Sequence, residues 1–377
     1  MPDTPLHRLH AAGQSIWLDY IDRSMLWNGD LERRIAEDAL TGMTSNPTIF
    51  EKALAEGHAY DEQLAGVDAG MGPWEVFETV AAADVRRACD LFRPVYDRTG
   101  GVDGYVSLEV SPNVADDAEG TIAEARRLWG VVDRPNVMIK VPGTDAGVRA
   151  VRQLIEDGIN VNVTLLFAVD AHRRVIEAYL EGLEARAAAG EPVDHVASVA
   201  SFFVSRVDTA IDKRLGEIAA AGGDDAAQAR ALMGKAAIAN AKLAYRLFCS
   251  MFAGARWEAL KAKGARPQRP LWASTSTKNP EYRDVMYVEQ LIGKHTVNTL
   301  PPATLEAFRD HGEVASTVDH DVDAATRSLA QLEALGISLS DVTDQLLVEG
   351  LASFQKSFDT LLAGLERKLG EVRVGAG

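Results

Sequence analysis

Eight short apolar runs, separated by longer amphipathic stretches, constrain this chain more than any other feature of its sequence. The runs cover residues 15–21, 42–46, 103–111, 136–142, 160–167, 195–204, 269–274 and 295–300. Several are apolar almost without a break, as expected of strands buried on both faces. Helical spacing fills residues 30–40, 74–95, 121–129, 144–156, 170–189 and 228–252. Strands alternating with helices in this way predict a parallel (β/α)8 barrel of the TIM type. An open doubly wound sheet is the competing architecture, but no glycine-rich turn follows the first run to favour it. Beyond Pro302 the pattern is helical, over residues 304–310, 321–335 and 339–369. The expected organisation is a barrel catalytic domain over residues 1–301 and a C-terminal helical extension, 302–377, packed on it. At 377 residues the chain is long enough for both.

One run carries a lysine where lysines are rarely found. Val137, Met138, Ile139 and Val141 are apolar, and Lys140 interrupts them just before Pro142 and Gly143 end the strand. A lysine in such a place is either paired with an acid or reactive. Desolvation favours the neutral amine, the form that attacks a carbonyl to make a Schiff base.

In a barrel, chemistry sits at the C-terminal ends of the strands. Those ends present Asp19, Thr44 with Asn46, Ser107 with Glu109, Lys140, Asn162 with Thr164, Ser201 and Ser274. Alternate residues of a strand share a face, so each of these pairs points one way. If the shared faces are inward, two acids and several amides and hydroxyls converge on one amine. Each residue alone has a plainer reading. Lys140 and Glu109 alone read as an interior ion pair. Asn46 before Pro47 reads as a turn. Asn162 and Thr164 read as satisfied core polar groups, and Arg206 as a surface residue near a helix start. It is the whole ring that favours chemistry.

The formal charge of −16 argues against nucleic acid and anionic membrane as partners, since both need a basic face. Cys89 and Cys249 lie far apart with no metal or redox spacing, which suits a reducing compartment. The first fifteen residues lack the apolar core of a signal peptide, and no apolar run approaches membrane-spanning length. A cytoplasmic location is expected. The eight histidines show neither HxH nor HExxH spacing, so no metal is expected. The oligomeric state is left open, a homo-oligomer included.

The ring of strand-end residues resembles the transaldolase family. The matching segments are Trp17 to Asp19, residues 44–48 (TSNPT), 106–110 (VSLEV), 138–142 (MIKVP) and 158–167 (GINVNVTLLF). Residues 201–206 (SFFVSR) and 272–274 (WAS) extend it, so it spans roughly the first 300 residues. The resemblance implies a cofactor-free transfer of a dihydroxyacetone unit through a lysine Schiff base, in the non-oxidative pentose phosphate pathway. The donors would be sedoheptulose 7-phosphate or fructose 6-phosphate, and the acceptors glyceraldehyde 3-phosphate or erythrose 4-phosphate. It implies Lys140 as nucleophile and Asp19 as the acid/base of carbon–carbon cleavage. It also implies Glu109 as an acid/base working through a water held by Thr164. Asn46 and Asn162 would bind hydroxyls of the dihydroxyacetone unit, with Thr44, Ser107 and Ser201 in the pocket. Arg206 would bind phosphate. The family's second arginine, after the alanine–serine of the seventh strand, is missing, and residues 275–278 (TSTK) stand there. Ser274 and Lys278 are the expected replacements. A fructose-6-phosphate aldolase and a non-catalytic sugar-phosphate-binding barrel are the alternatives.

Overall fold

The computed structural model describes residues 4–55, 59–68 and 70–375. Eight parallel strands close into a barrel, each pairing with its sequence neighbours and the last returning to the first. They are β1 (Gln14–Asp19), β2 (Leu40–Thr44), β3 (Tyr105–Glu109), β4 (Val137–Pro142), β5 (Val161–Leu166), β6 (Ser198–Phe203), β7 (Arg269–Ala273) and β8 (Thr296–Leu300). No described helix is long and apolar enough to cross a membrane.

Strand alternation divides each sequence between the barrel interior and the surrounding helices. Ile16 and Leu18, Ile139 and Val141, and Val161 and Val163 belong to the large core under the helices. The alternate residues Trp17, Tyr105, Met138, Val199, Leu271, Ala273 and Val297 form a separate apolar plug inside the barrel. On β2 the inward position is Gly42, where a Cβ would fall 2.5 Å from the Trp17 indole nitrogen. The largest interior side chain therefore fits because its neighbour strand has none. Further along every strand but β7 the same inward face turns polar, giving Asp19, Thr44, Ser107 and Glu109, Lys140, Asn162 and Thr164, Ser201 and Thr299. A dry floor beneath a polar upper layer follows from the alternation alone.

Several boundaries differ from the sequence expectation. The second strand begins at Leu40 and ends at Thr44, so Ser45 and Asn46 belong to the loop before the helix Pro47–Ala55. The sixth begins at Ser198, and residues 195–197 lie outside it. The helix expected over residues 228–252 is two, Ala226–Leu232 and Ala236–Met251. Between them Gly234 takes φ +71°, a left-handed conformation that ends a helix at little cost only for glycine. The helix Ser205–Ala221 follows β6, beginning beside Arg206, where the sequence points to a helix start without giving its extent.

After β8, the helix Pro302–His311 packs on β1, β8 and the N-terminal helix Pro5–Ala11, taking the eighth helical position around the barrel. The long helix Leu339–Gly375 packs instead on Pro47–Ala55, Pro73–Arg98, Ser205–Ala221 and β5. That route takes it along the C-terminal mouth of the barrel.

Gly42→Ala is expected to overpack the floor of the barrel against Trp17 at a cost of about 1–3 kcal/mol. Thermal unfolding followed by circular dichroism should show a melting temperature lowered by several degrees. An unchanged value would mean that the indole has room to move.

Candidate active site

Lys140 reaches the barrel interior because it sits two residues beyond the plug residue Met138 on the same strand face. Its side chain is enclosed, with the residue only 7% exposed. The Nζ atom donates to the Ser45 carbonyl at 3.0 Å and to Glu109 Oε2 at 3.1 Å. Glu109 is its register partner on β3. Burial pushes the Glu109 carboxyl above its ordinary value, and the Lys140 charge opposes that shift only in part.

Asp19 closes the other side from β1. Its Oδ1 accepts from Thr44 Oγ1 at 2.7 Å, and Thr44 Oγ1 lies 2.7 Å from Thr299 Oγ1. Burial raises Asp19 as well, with the Lys140 charge and then the Thr44 hydrogen bond pulling it back. Two carboxyls held above their usual range, around one amine, are suited to exchanging protons.

Beneath this layer, Ser201 Oγ donates to Asn162 Oδ1 at 2.6 Å, and Asn162 Nδ2 donates to Ser107 Oγ at 3.0 Å. Asn46 has two jobs. Its Oδ1 accepts from the Ile49 N–H at 3.1 Å, capping the helix that Pro47 opens, and its residue also lines the cavity. The Thr164 hydroxyl borders the cavity with no hydrogen-bond partner among the described residues.

The cavity over these groups encloses about 460 Å³, within the usual range for a small-molecule site. At its far side stand Arg206, Ser274, Ser276 and Lys278. The Arg206 guanidinium lies 5.3 Å from the centre of the Phe203 ring, and Lys278 Nζ donates to Ser276 Oγ at 2.9 Å. Three cations against two acids make this a locally basic site in an acidic chain.

Ten of the twelve residues picked from the sequence border this one cavity: Asp19, Thr44, Asn46, Glu109, Lys140, Thr164, Ser201, Arg206, Ser274 and Lys278. Ser107 and Asn162 do not border it; they are fully buried below and hold Ser201 in place. Sequence reasoning missed Thr299, although the strand-end rule applied to β8 would have found it. It also missed one wall entirely. Gly350, Ser353, Phe354 and Ser357 project from one face of the helix Leu339–Gly375 into the cavity. Their spacing, with small residues at i, i+3 and i+7, was a readable signal. Leu165 was not readable. It takes φ +60° at an irregularity in β5, and a Cβ on Gly350 would lie 3.1 Å from its side chain. Thr48 Oγ1 donates to Ser357 Oγ at 2.8 Å, tying that helix to the first turn of the helix Pro47–Ala55.

Among the described residues no group of three or more histidine, cysteine or acidic side chains could hold a metal ion. Cys89 and Cys249 are both free thiols. Fold and site together define a class: a (β/α)8 barrel enzyme whose polar residues gather around one buried amine.

Comparison with known proteins narrows this. The family described as Transaldolase/Fructose-6-phosphate aldolase matches residues 16–365. A protein named transaldolase from Frankia alni is 49% identical over 372 residues, covering 97% of this chain and 98% of its own. Another, from Thermobifida fusca, is 50% identical over 368 residues, with 97% and 98% covered. One named transaldolase 2, from a Nostoc species, is 48% identical over 363 residues, covering 95% of both. The chain belongs to the transaldolase family.

The two raised carboxyls set a pH dependence. A base must be ionised to take a proton, so activity falls as pH drops through its raised pKa. The acid limb of kcat/KM is expected above the ordinary carboxylate range of about 3.9–4.3. A limb at or below pH 4 would show that burial does not control these groups.

Proposed function

We propose that the transaldolase reaction of this chain runs through an imine on Lys140, with Asp19 and Glu109 moving the protons. The Lys140 amine attacks the C2 carbonyl of a ketose phosphate. Glu109, already within hydrogen-bond distance of Nζ, serves the loss of water from the carbinolamine, through a water held by Thr164. In the protonated imine, Asp19 takes the proton of the C4 hydroxyl as the C3–C4 bond breaks. The aldose phosphate leaves, and the electron pair of the broken bond moves into the imine to give an enamine of dihydroxyacetone. An incoming aldose phosphate is attacked by that enamine, and Asp19 returns the proton. Water then frees the new ketose phosphate and the amine.

Asn46 and Asn162 serve the dihydroxyacetone hydroxyls in this reading, with Thr44, Ser107 and Ser201 shaping that end. Arg206, Ser274 and Lys278 hold the phosphate. The observation that carries the reading is the Lys140–Glu109 contact of 3.1 Å in a cavity that also takes in Asp19, Arg206 and Lys278. The donors are sedoheptulose 7-phosphate or fructose 6-phosphate, and the acceptors glyceraldehyde 3-phosphate or erythrose 4-phosphate. The family also includes fructose-6-phosphate aldolases, which would release dihydroxyacetone to water. The full-length relatives named transaldolase favour transfer. The proposal extends to a cytoplasmic enzyme, to a catalytic barrel over residues 1–301 carrying a helical extension over 302–377, and to possible self-association. The outermost residues of those ranges, 1–3 and 376–377, lie outside the described residues.

Borohydride reduction in the presence of fructose 6-phosphate, followed by peptide mass mapping, is expected to give a dihydroxyacetone-sized adduct on Lys140. Lys140→Ala should lose the adduct and turnover, by several orders of magnitude, while keeping its circular dichroism spectrum. An adduct on another lysine, or none on protein that binds the sugar phosphate, would overturn the mechanism. Turnover of fructose 6-phosphate should require erythrose 4-phosphate as acceptor; acceptor-independent release would make the chain an aldolase.

A further inference from the structure

The segment that carries Ser274, Ser276 and Lys278 has no regular structure of its own. It runs from residue 274, just after β7, to residue 285, just before the short helix Met286–Glu289. Its start is fixed. Ser274 takes φ +55°, its Oγ lies 2.9 Å from Ser205 Oγ, and Thr275 Oγ1 donates to Asn298 Oδ1 at 2.9 Å. Beyond that the tip runs over the surface; Arg283 and Asp284 tie its return to Glu289 and His311, and a pair of tyrosines ties it to the helix Ser205–Ala221. Tyr282 OH donates to Asp212 Oδ2 at 2.7 Å, and Tyr287 OH donates to Asp208 Oδ2 at 2.9 Å.

Both acids stand on the helix Ser205–Ala221, one turn apart and so on one face. Arg206, on the first turn of that helix, points to the cavity instead. Each acid makes a second bond to the joint between the next two helices. Asp212 Oδ1 accepts the Gly234 N–H at 3.0 Å, and Asp208 Oδ1 accepts the Ala237 N–H at 2.7 Å. Gly234 is the residue whose left-handed conformation breaks that helix. A Cβ there would lie 2.9 Å from the Tyr282 ring, so the glycine also makes room for the tyrosine.

The arrangement is unusual in its chemistry. Two neighbouring acids, Asp208 buried and Asp212 half-buried, are met by neutral hydroxyls and backbone N–H groups, with no ion pair to either among the described residues. Burial accordingly raises Asp208 to about 7. Apolar packing would join two elements without that desolvation cost. What carboxylate–hydroxyl bonds add is direction: they fix where the tyrosines, and the segment between β7 and them, sit relative to Arg206.

We propose that Asp212 with Tyr282, and Asp208 with Tyr287, are positioning residues that hold Lys278 and Ser276 on the same side of the cavity as Arg206, so that these groups converge on one phosphate group. This rests on the reading that Arg206 and Lys278 face the phosphate end of the substrate. None of the four side chains borders the cavity, so they act through the segment they hold.

The test compares fructose 6-phosphate with unphosphorylated fructose as donor, with the same acceptor. Tyr282→Phe removes one oxygen and keeps the ring. It is expected to raise KM for fructose 6-phosphate about three- to tenfold, less than the full effect of a hydrogen bond to a charged group, because the tyrosine acts on the phosphate only through the segment it holds. kcat should stay within about twofold, and kcat/KM for fructose should not change. Asp212→Ala should behave like Tyr282→Phe, while Asp212→Asn, which keeps an acceptor oxygen, should restore most of the affinity. Equal losses on both donors, or no change in either variant, would overturn the proposal. Arg206→Gln separates the two layers of the argument. If it erases the preference for the phosphorylated donor while Tyr282→Phe is silent, the latch alone is wrong. If it leaves that preference intact, the phosphate placement fails and the latch proposal falls with it.

Discussion

An ammonium group removed from water at the centre of a protein is the constraint on which this architecture turns. The effective penalty for burying such a charge is several kcal/mol, and it is met only where the remaining hydrogens find partners. Here Lys140 finds the Ser45 carbonyl and the Glu109 carboxyl. Neither partner is local in sequence: one follows β2, the other ends β3, and both reach the amine because three adjacent parallel strands end at one level. The same burial that isolates the amine raises both Glu109 and Asp19. The amine and the two acids are thus set by a single environment, which is what suits them to the one mechanism proposed for them.

That environment needs a floor. Trp17 and its neighbours close the barrel interior below the polar layer. The Trp17 indole N–H donates to Asp103 Oδ1 at 2.8 Å, and Asp103 also accepts from Ser15. Arg269 donates to Ser15 Oγ at 2.7 Å and to the Val102 carbonyl at 2.9 Å. The plug is thus apolar between two polar levels, satisfied by different partners. Charge at the bottom of the barrel is neutralised among its own residues, leaving the upper level to act on a ligand.

The barrel and most of its site were legible in the sequence because both follow from period-2 alternation. Lys140, Glu109, Thr164 and Ser201 all sit on the face that alternation assigns, and Asp19 and Thr44 complete the layer. Depth was not legible. Ser107 and Glu109 share a face, but only Glu109 reaches the cavity, since one step along a strand decides whether a polar group meets ligand or another side chain. The helix break at Gly234 was hidden because alanine-rich flanks on both sides keep helical spacing; the glycine's second purpose, room for Tyr282, depends on a residue 48 positions away. The wall from Gly350 to Ser357 escaped because a small-residue stripe does not say what it faces. Leu165 gave no signal at all, as a left-handed leucine within an apolar run is a property of the closed barrel and not of its neighbours.

The wall contributed by Gly350, Ser353, Phe354 and Ser357 has a bearing on how the protein is made. Asp19, on the opposite side of the same cavity, emerges from the ribosome long before Ser357 does. During synthesis the eight strands are complete while the buried amine still opens to water on one side. Only when the late helix settles against Leu165 and Thr48 does the cavity gain its last wall. A chain that stopped before that helix would lack one wall of the cavity around Lys140. Supplying that wall last ties completion of the pocket to completion of the chain.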